Sequence, residues 1–459
     1  MSQQNDRGAV MRIHILGICG TFMASIAVIA KELGYEVSGS DEAIFPPMST
    51  MLAEHGIKIY PTEECALQHL TLDCVIVGNA KGRGDKNVEY LLNSNLPYYS
   101  GPEWLAKAVL RERSVITVSG THGKTTTTSM IAWILDFAGL EPGFLVGGVP
   151  RNFGLSGRIG KKPYFVIEGD EYDTAFFDKR SKFIHYYTKV GVINNIEFDH
   201  ADIFDNIAAI QKTFQHFIRT IPSGGLIIAK GHERTIKETL AMGCWTPVQE
   251  FGADDSRWQA LLLKEDGSEF SVYDNRQKVA EIAWELVGLH NVNNALAAIA
   301  AANYAGVAPA VSAQALSAFH SVKRRLEIKG TINGVTVYDD FAHHPTEIKT
   351  TINGLRRKVG KARIITIIEF VSNSMKKGCH NDTLVEAFDE ADLIFCRQPE
   401  WDVLSLFQSK QRDIVVAPNV DGLLASIANT LKPTDHVLVM SNKGFEGIYD
   451  KLLKLASEV

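Results

Sequence analysis

Apolar positions along the chain switch repeatedly between two periods. Short β-branched runs alternate with stretches whose apolar residues recur every three or four positions. That alternation predicts parallel strands covered by helices, an α/β fold. Arg12–Leu16 reads as a strand entering the turn Gly17–Gly20, with a helix behind it. Tyr35–Ser38 and Cys74–Val77 read as strands ending in Gly39-Ser40-Asp41 and Gly78-Asn79-Ala80. Ser114–Val118 is a β-branched strand. The helix after it presents Met130, Ile131, Ile134, Leu135 and Ala138 on one face. Tyr164–Ile167 and Val190–Ile193 continue the strand pattern, and Asn294–Tyr304 is an Ala-rich helix. Val335–Tyr338, Arg363–Ile368, Leu393–Cys396, Ile414–Ala417 and His436–Met440 read as a last set of strands. Pro345 suits the first turn of the helix after His344. Three blocks result, with expected boundaries at 1–113, 114–323 and 324–459. The first and third are Rossmann-like, and the second carries a phosphate-loop pattern.

Composition narrows the function classes. With 459 residues, 45% hydrophobic and 22% charged, the chain holds enough apolar material for several cores. A net charge of -6 argues against a coat for nucleic acid or an acidic membrane. Cys19, Cys65, Cys74, Cys244, Cys379 and Cys396 are scattered, with no CxxC pair, so neither a disulfide framework nor a zinc site is expected. No signal-peptide core opens the chain, and no apolar run approaches the ~18 residues of a membrane span. A cytoplasmic protein with no membrane or nucleic-acid partner is the expectation.

The sharpest chemical signal is Gly120, Thr121, His122, Gly123, Lys124, Thr125 and Thr126 between a strand and a helix. Backbone N–H groups at such a helix start face a bound anion. Lys124 would reach the β- and γ-phosphates of ATP, and the Thr125 hydroxyl would hold Mg²⁺. The match to GxxxxGK[ST] is incomplete, since Val118 stands where the first glycine falls. The bland alternative is a helix N-terminus with a solvated lysine. Glu168 follows the next strand, where a carboxylate can bind Mg²⁺; the alternative is a solvated acidic loop. His200 ends the run Asn194-Asn-Ile-Glu-Phe-Asp-His200 and is either a second metal ligand or a hydrogen-bonded loop residue. Asn291 and Asn294 lie three apart at a helix start and could meet adenine or simply cap. Arg325 could clamp phosphate. Asp340 could take ribose hydroxyls, with His343 a further polar candidate.

These stretches, in this order, closely resemble the Mur ligase family of bacterial cell-wall enzymes. The resemblance rests on Gly17-Ile-Cys-Gly-Thr-Phe-Met23, the phosphate loop, Glu168-Gly-Asp-Glu-Tyr-Asp173, Asn194–His200, Gly288–Asn294, Arg324-Arg-Leu-Glu327 and Tyr338–Glu347. It spans nearly the whole chain and implies three domains, for UDP-substrate binding, ATP use and closure over the site. The phosphate loop and Asp339–Glu347 are similar to the branch that starts from UDP-N-acetylmuramate. Phe45–Leu52, Gly147–Phe153 and Asp170–Phe183 look like the member that adds L-alanyl-γ-D-glutamyl-meso-diaminopimelate, a peptidoglycan-recycling reaction. A near alternative adds L-alanine alone.

The resemblance implies that Lys124 holds the transferring phosphate. Thr125 and Glu168 would bind one Mg²⁺ and His200 a second. Asn294, Arg325 and Asp340 would meet adenine, phosphates and ribose. Gly17, Cys19, Gly20, Thr21, Ser40, Asp41 and Asn79 would line the uridine nucleotide site. His343, Ser372 and Asn373 are peptide-side candidates. A monomer or homodimer is compatible with all of this. Departures exist: Val371 stands where an arginine is expected to hold substrate, and Lys443 and Glu446 stand where glycines are expected. Lys376 or Lys377 could compensate. Lys212 is not assigned a carbamylated role. A Rossmann oxidoreductase using NAD is a remote alternative, weakened because Cys19 occupies the place of the second fingerprint glycine. A nucleotide-binding module without chemistry is another.

Overall fold

The computed structural model describes residues 10–457. Three large sheets organise the described residues, beside a two-stranded ribbon of Asp173–Ala175 and Asp178–Ser181. The first has five parallel strands in the spatial order Lys58–Pro61, Glu36–Asp41, Arg12–Leu16, Cys74–Val77 and Tyr98–Ser100. The central strand Arg12–Leu16 is buried on both faces from Ile13 onward, and its one polar interior residue, His14, is met by the Ser38 and Ser40 hydroxyls at 2.9 and 3.1 Å. The second strand reaches Asp41 rather than ending at Ser38, because Gly39 and Ser40 stay in register with Ile15 and Leu16. Gly39 is required there: a Cβ would lie 2.4 Å from Ile18 Cδ1.

The second sheet has ten strands. Ser114–Ser119 lies between Lys161–Gly169 and Thr188–Ile193, all parallel, so their carboxyl ends open together. Leu226–Lys230 and Val248–Phe251 extend it, followed by the antiparallel meander Trp258–Leu262, Glu269–Asp274 and Gln277–Ala283. The sequence pattern did not single out this meander, whose strands mix polar and apolar residues. The helices Lys124–Phe137 and Leu289–Tyr304 pack together in the core. The second begins five residues earlier than the apolar pattern suggests. Its opening turn is polar, and Gly288, at φ 93°, turns the chain into it. The buried alanines 295, 297, 298, 300, 301 and 302 let backbones approach closely.

The third sheet orders Glu327–Ile332, Val335–Asp340, His436–Met440, Ile364–Ile368, Leu393–Arg397 and Val415–Ala417. Only the first of these is antiparallel to its neighbour. Two apolar layers sandwich it. The helix Pro345–Val359 starts with Pro345 in its first turn, and His344 caps it by accepting the Thr346 N–H at 3.2 Å. That cap points the helix start at the phosphate loop of the second sheet.

Candidate active site

The phosphate loop is built by two glycines at positive φ, Gly120 at 138° and Gly123 at 78°. Gly123 also admits a neighbour, since a Cβ there would sit 2.7 Å from Asn294 Oδ1. Asn194 and Asn195 brace the loop: Asn195 Oδ1 accepts the His122 N–H at 2.7 Å, and Asn194 Nδ2 donates to Thr127. The Thr121 hydroxyl accepts the Glu197 N–H at 2.8 Å. The loop is therefore tied to Asn194, Asn195 and Glu197 through Thr121, His122 and Thr127.

A buried charge network occupies the strand ends. Lys124 Nζ donates to both oxygens of Glu171, at 3.1 and 2.9 Å. Burial alone would lower the Lys124 pKa; Glu171 and Asp170 outweigh it and hold the ammonium above its ordinary value. His200 Nε2 lies 3.0 Å from Glu171 Oε1. Burial disfavours the imidazolium, but Glu171 wins and raises the His200 pKa. The Thr125 hydroxyl donates to Glu168 Oε1 at 3.1 Å, and the Gly147 N–H donates to Glu168 Oε2 at 2.7 Å. Here burial wins: the Glu168 carboxyl is pushed up even with Lys124 nearby. A half-buried carboxylate whose proton affinity is raised, set beside a hydroxyl, suits a hard divalent cation. Lys182 pairs with Asp170. Glu171 is thus a functional candidate that the sequence reading passed over. Its signal was present in the acidic run, but nothing local distinguished it from Asp170 or Asp173.

A cavity of about 720 Å³ lies beside this network, lined among others by His122, Gly123, Asn294, Arg325, Asp340 and Glu347. The adenine, phosphate and ribose candidates are brought together there. Asp340 accepts the Leu326 N–H at 2.7 Å and the Ala342 N–H at 2.8 Å, so it also fixes the turn carrying Arg325. Burial raises its pKa to about 6. Arg325 pairs with Glu347 at 3.3 Å.

The loop and the third sheet meet at His122. Its Nε2 lies 3.6 Å from Glu197 and its Nδ1 3.5 Å from Glu347. Burial opposes the imidazolium, yet the two carboxylates raise its pKa to about 9. Glu347 is held well below its ordinary value against burial, chiefly by His122 and Arg325. Thr346 Oγ donates to Glu197 at 2.6 Å across the same junction. His122, Glu197 and His344 have the spacing of a metal site. With His122 as an imidazolium, Glu197 and Glu347 each face a positive ring.

The remaining candidates separate. In the first sheet Ser40 O accepts the Gly17 N–H at 2.8 Å, and Asp41 Oδ2 accepts the Cys19 N–H at 2.8 Å. Burial first, then Asp41, raise the Cys19 thiol to about 11, keeping it neutral. Lys81, not anticipated, is buried against Gly17 and pairs with Glu42. Gly20 precedes the helix that Thr21 opens, and Asn79 is exposed at the neighbouring strand end. In the third sheet His343 turns its Nδ1 to the Phe341 carbonyl, 3.0 Å away. Ser372 accepts the Met375 N–H as a cap, and Asn373 is exposed. It is Ser374 that reaches the His200 loop, donating to Asp199 at 2.7 Å. Lys212 lies on an exposed helix position.

Three family models match in succession: the Mur ligase family catalytic domain at 12–113, the Mur ligase middle domain at 118–302, and the Mur ligase glutamate ligase domain at 324–443. A curated UDP-N-acetylmuramate–L-alanyl-γ-D-glutamyl-meso-2,6-diaminoheptanedioate ligase from Haemophilus influenzae is 52% identical over 445 residues, covering 96% of this chain and 98% of its own. The chain belongs to the Mur ligase family. Its members are ATP-dependent, amide-bond-forming enzymes. A solved murein peptide ligase from Psychrobacter arcticus superposes with a TM-score of 0.74 at 44% identity, covering 98% of this chain and 99% of that one. A UDP-N-acetylmuramate–L-alanine ligase from Desulforapulum autotrophicum is 31% identical over 458 residues, covering 96% of this chain and 98% of its own. Membership is consistent with the three sheets and with the phosphate loop at the centre. Among the described residues no helix is long and apolar enough to cross a membrane.

Proposed function

We propose that this Mur ligase joins the lactyl carboxylate of UDP-N-acetylmuramate to the amine of L-alanyl-γ-D-glutamyl-meso-diaminopimelate, at the expense of ATP, in the cytoplasm. The observation that carries the reading is 52% identity over nearly the full chain to a ligase of that name. The loop, the acidic network and the cavity of this chain supply the chemistry it requires. ATP would lie in the cavity, with adenine near Asn294, ribose near Asp340 and phosphates toward Arg325 and Lys124. The sugar nucleotide would lie against Gly17–Thr21, Ser40, Asp41 and Asn79.

The lactyl carboxylate attacks the γ-phosphorus, the bond to the β-phosphate oxygen breaks, and ADP leaves. Lys124 and the loop N–H groups balance charge on the transferred group. Thr125 with Glu168, and His200 with Glu171, are the residues that would hold Mg²⁺, which supplies further neutralisation. The peptide amine then attacks the acyl carbon, phosphate leaves, and one proton is released. Contact of the third domain with the phosphate loop through His122 and Glu347 keeps water from the acyl-phosphate and orients the two reactants.

The test is phosphate release with Mg-ATP and UDP-N-acetylmuramate, comparing the tripeptide with L-alanine. Tripeptide-dependent release supports the reading. Release with L-alanine alone would replace it with the alanine-adding activity of the more distant relatives.

A further inference from the structure

The carboxyl ends of four parallel strands of the third sheet, ending at Asp340, Met440, Ile368 and Arg397, open along one edge. Ligands of such sheets sit along that edge. Asp340 lines the nucleotide cavity, whereas Glu369, Arg397 and Ser441 do not. The register Ile368↔Cys396 sets Glu369 and Arg397 side by side. Glu369 is buried, accepting Arg397 Nη1 at 2.8 Å and the Ser441 hydroxyl at 2.7 Å. The other arm of the guanidinium, Nη2, meets Glu446 at 2.9 Å. The Arg397 and Glu446 side chains are 35% and 52% exposed. One arm is therefore anchored to a buried carboxylate and the other is held by a partner that solvent can reach.

The chain just after Glu369 abuts the loop that carries His200. Ser374 donates to Asp199, and Lys377 Nζ donates to the Ala201 carbonyl at 2.6 Å. This end of the sheet therefore borders the reacting centre on a side away from the nucleotide. Val371 offers no charge there, Lys377 is committed to Ala201, and Lys376 pairs with the exposed Glu400 at 3.0 Å. Arg324 is committed to Asp339 and to the Ser441 and Lys443 carbonyls, and Lys443 is an exposed point charge on a long stem, so Arg397 is the planar cation fixed at that edge with one arm within reach of solvent.

We propose that Arg397 binds a carboxylate of the acceptor peptide, in exchange for Glu446, and so sets the enzyme's preference for acidic acceptors. The inference rests on the ligase reading above. A γ-linked glutamyl residue leaves its α-carboxylate free, and diaminopimelate brings two more. None of them takes part in the reaction. An arginine fork anchored on one arm presents the other to a carboxylate at little entropic cost.

The experiment is a cycle of two proteins and two acceptors, wild type and Arg397→Met, with the tripeptide and with its counterpart whose carboxylates are all amidated. For wild type, amidation should raise the acceptor KM by about 30-fold, as loss of a charged pair at a binding site does. Arg397→Met should raise the tripeptide KM by a similar factor, leave the KM for ATP and UDP-N-acetylmuramate within about threefold, and be nearly indifferent to amidation. The acceptors are compared within one protein, so a reduced folded fraction cancels. If wild type uses the tripeptide but the amidation penalty is equal in both proteins, the role of Arg397 is overturned and the ligase reading stands. If wild type makes no tripeptide product, the ligase reading itself falls.

Discussion

Replacing His122 with asparagine removes the cation shared by the central and third domains. The ring is nearly enclosed, and its pKa rises from 6.5 to about 9 between Glu197 and Glu347. At about 1.4 kcal/mol per pKa unit, the imidazolium is favoured in the folded protein by ~3 kcal/mol. The folded pKa lies above the unfolded one. This contribution is therefore complete below pH 6.5 and is lost as pH rises through 9. His344, lowered by burial to about 4, and His380, lowered by burial, stay neutral across that window. Arg325 stays charged throughout, and His343 faces Glu347 as well, so the measurement is a difference between two proteins. Scanning calorimetry of wild type and His122→Asn from pH 6 to pH 10, without nucleotide, reads it directly. The variant should melt lower by on the order of 5–10 °C at pH 6, and the gap should shrink steadily above pH 6.5. A gap that is the same at pH 6 and pH 9.5 would refute the shared imidazolium.

Lys124→Ala should reduce turnover by at least about 10³-fold while circular dichroism and melting show a folded protein, because the lysine acts on the developing phosphate charge. Gly123→Ala should abolish ATP binding in calorimetric titration: the residue needs φ 78°, and its Cβ would lie 2.7 Å from Asn294. Asp340, raised by burial to about 6, should make the KM for ATP climb as pH falls through about 6, since a protonated carboxyl accepts ribose hydroxyls poorly. Asp340→Asn should flatten that dependence.

Much of the fold was legible because central parallel strands such as Cys74–Val77 and Ile364–Ile368 are buried on both faces and read as nearly continuous apolar runs. The meander Trp258–Ala283 was not, since its strands carry alternating polar residues on short segments. Lys124, Thr125 and Glu168 stood out because each sits at a strand end or helix start, where local pattern and chemistry coincide. Glu171, Glu197 and Glu347 did not, and His122 stood out only as part of the phosphate loop, not as its link to the third sheet. Their roles come from contacts spanning 29 to 225 residues of sequence, which no local spacing encodes. Ser372 caps the turn that carries Asn373, and that turn directs Ser374, which the sequence did not single out, at Asp199. Val371 read as a lost positive group. The register of Ile364–Ile368 with Leu393–Arg397 sets Arg397 beside Glu369, a juxtaposition that is invisible until the strands are paired.

The central claim is that ATP activates the lactyl carboxylate as an acyl-phosphate. The most direct measurement uses UDP-N-acetylmuramate labelled with ¹⁸O in that carboxylate, with Mg-ATP and the tripeptide, and mass analysis of the released phosphate. Each released phosphate should carry one oxygen from the carboxylate, and the product should gain the tripeptide less one water. Unlabelled phosphate accompanying the same product would contradict it.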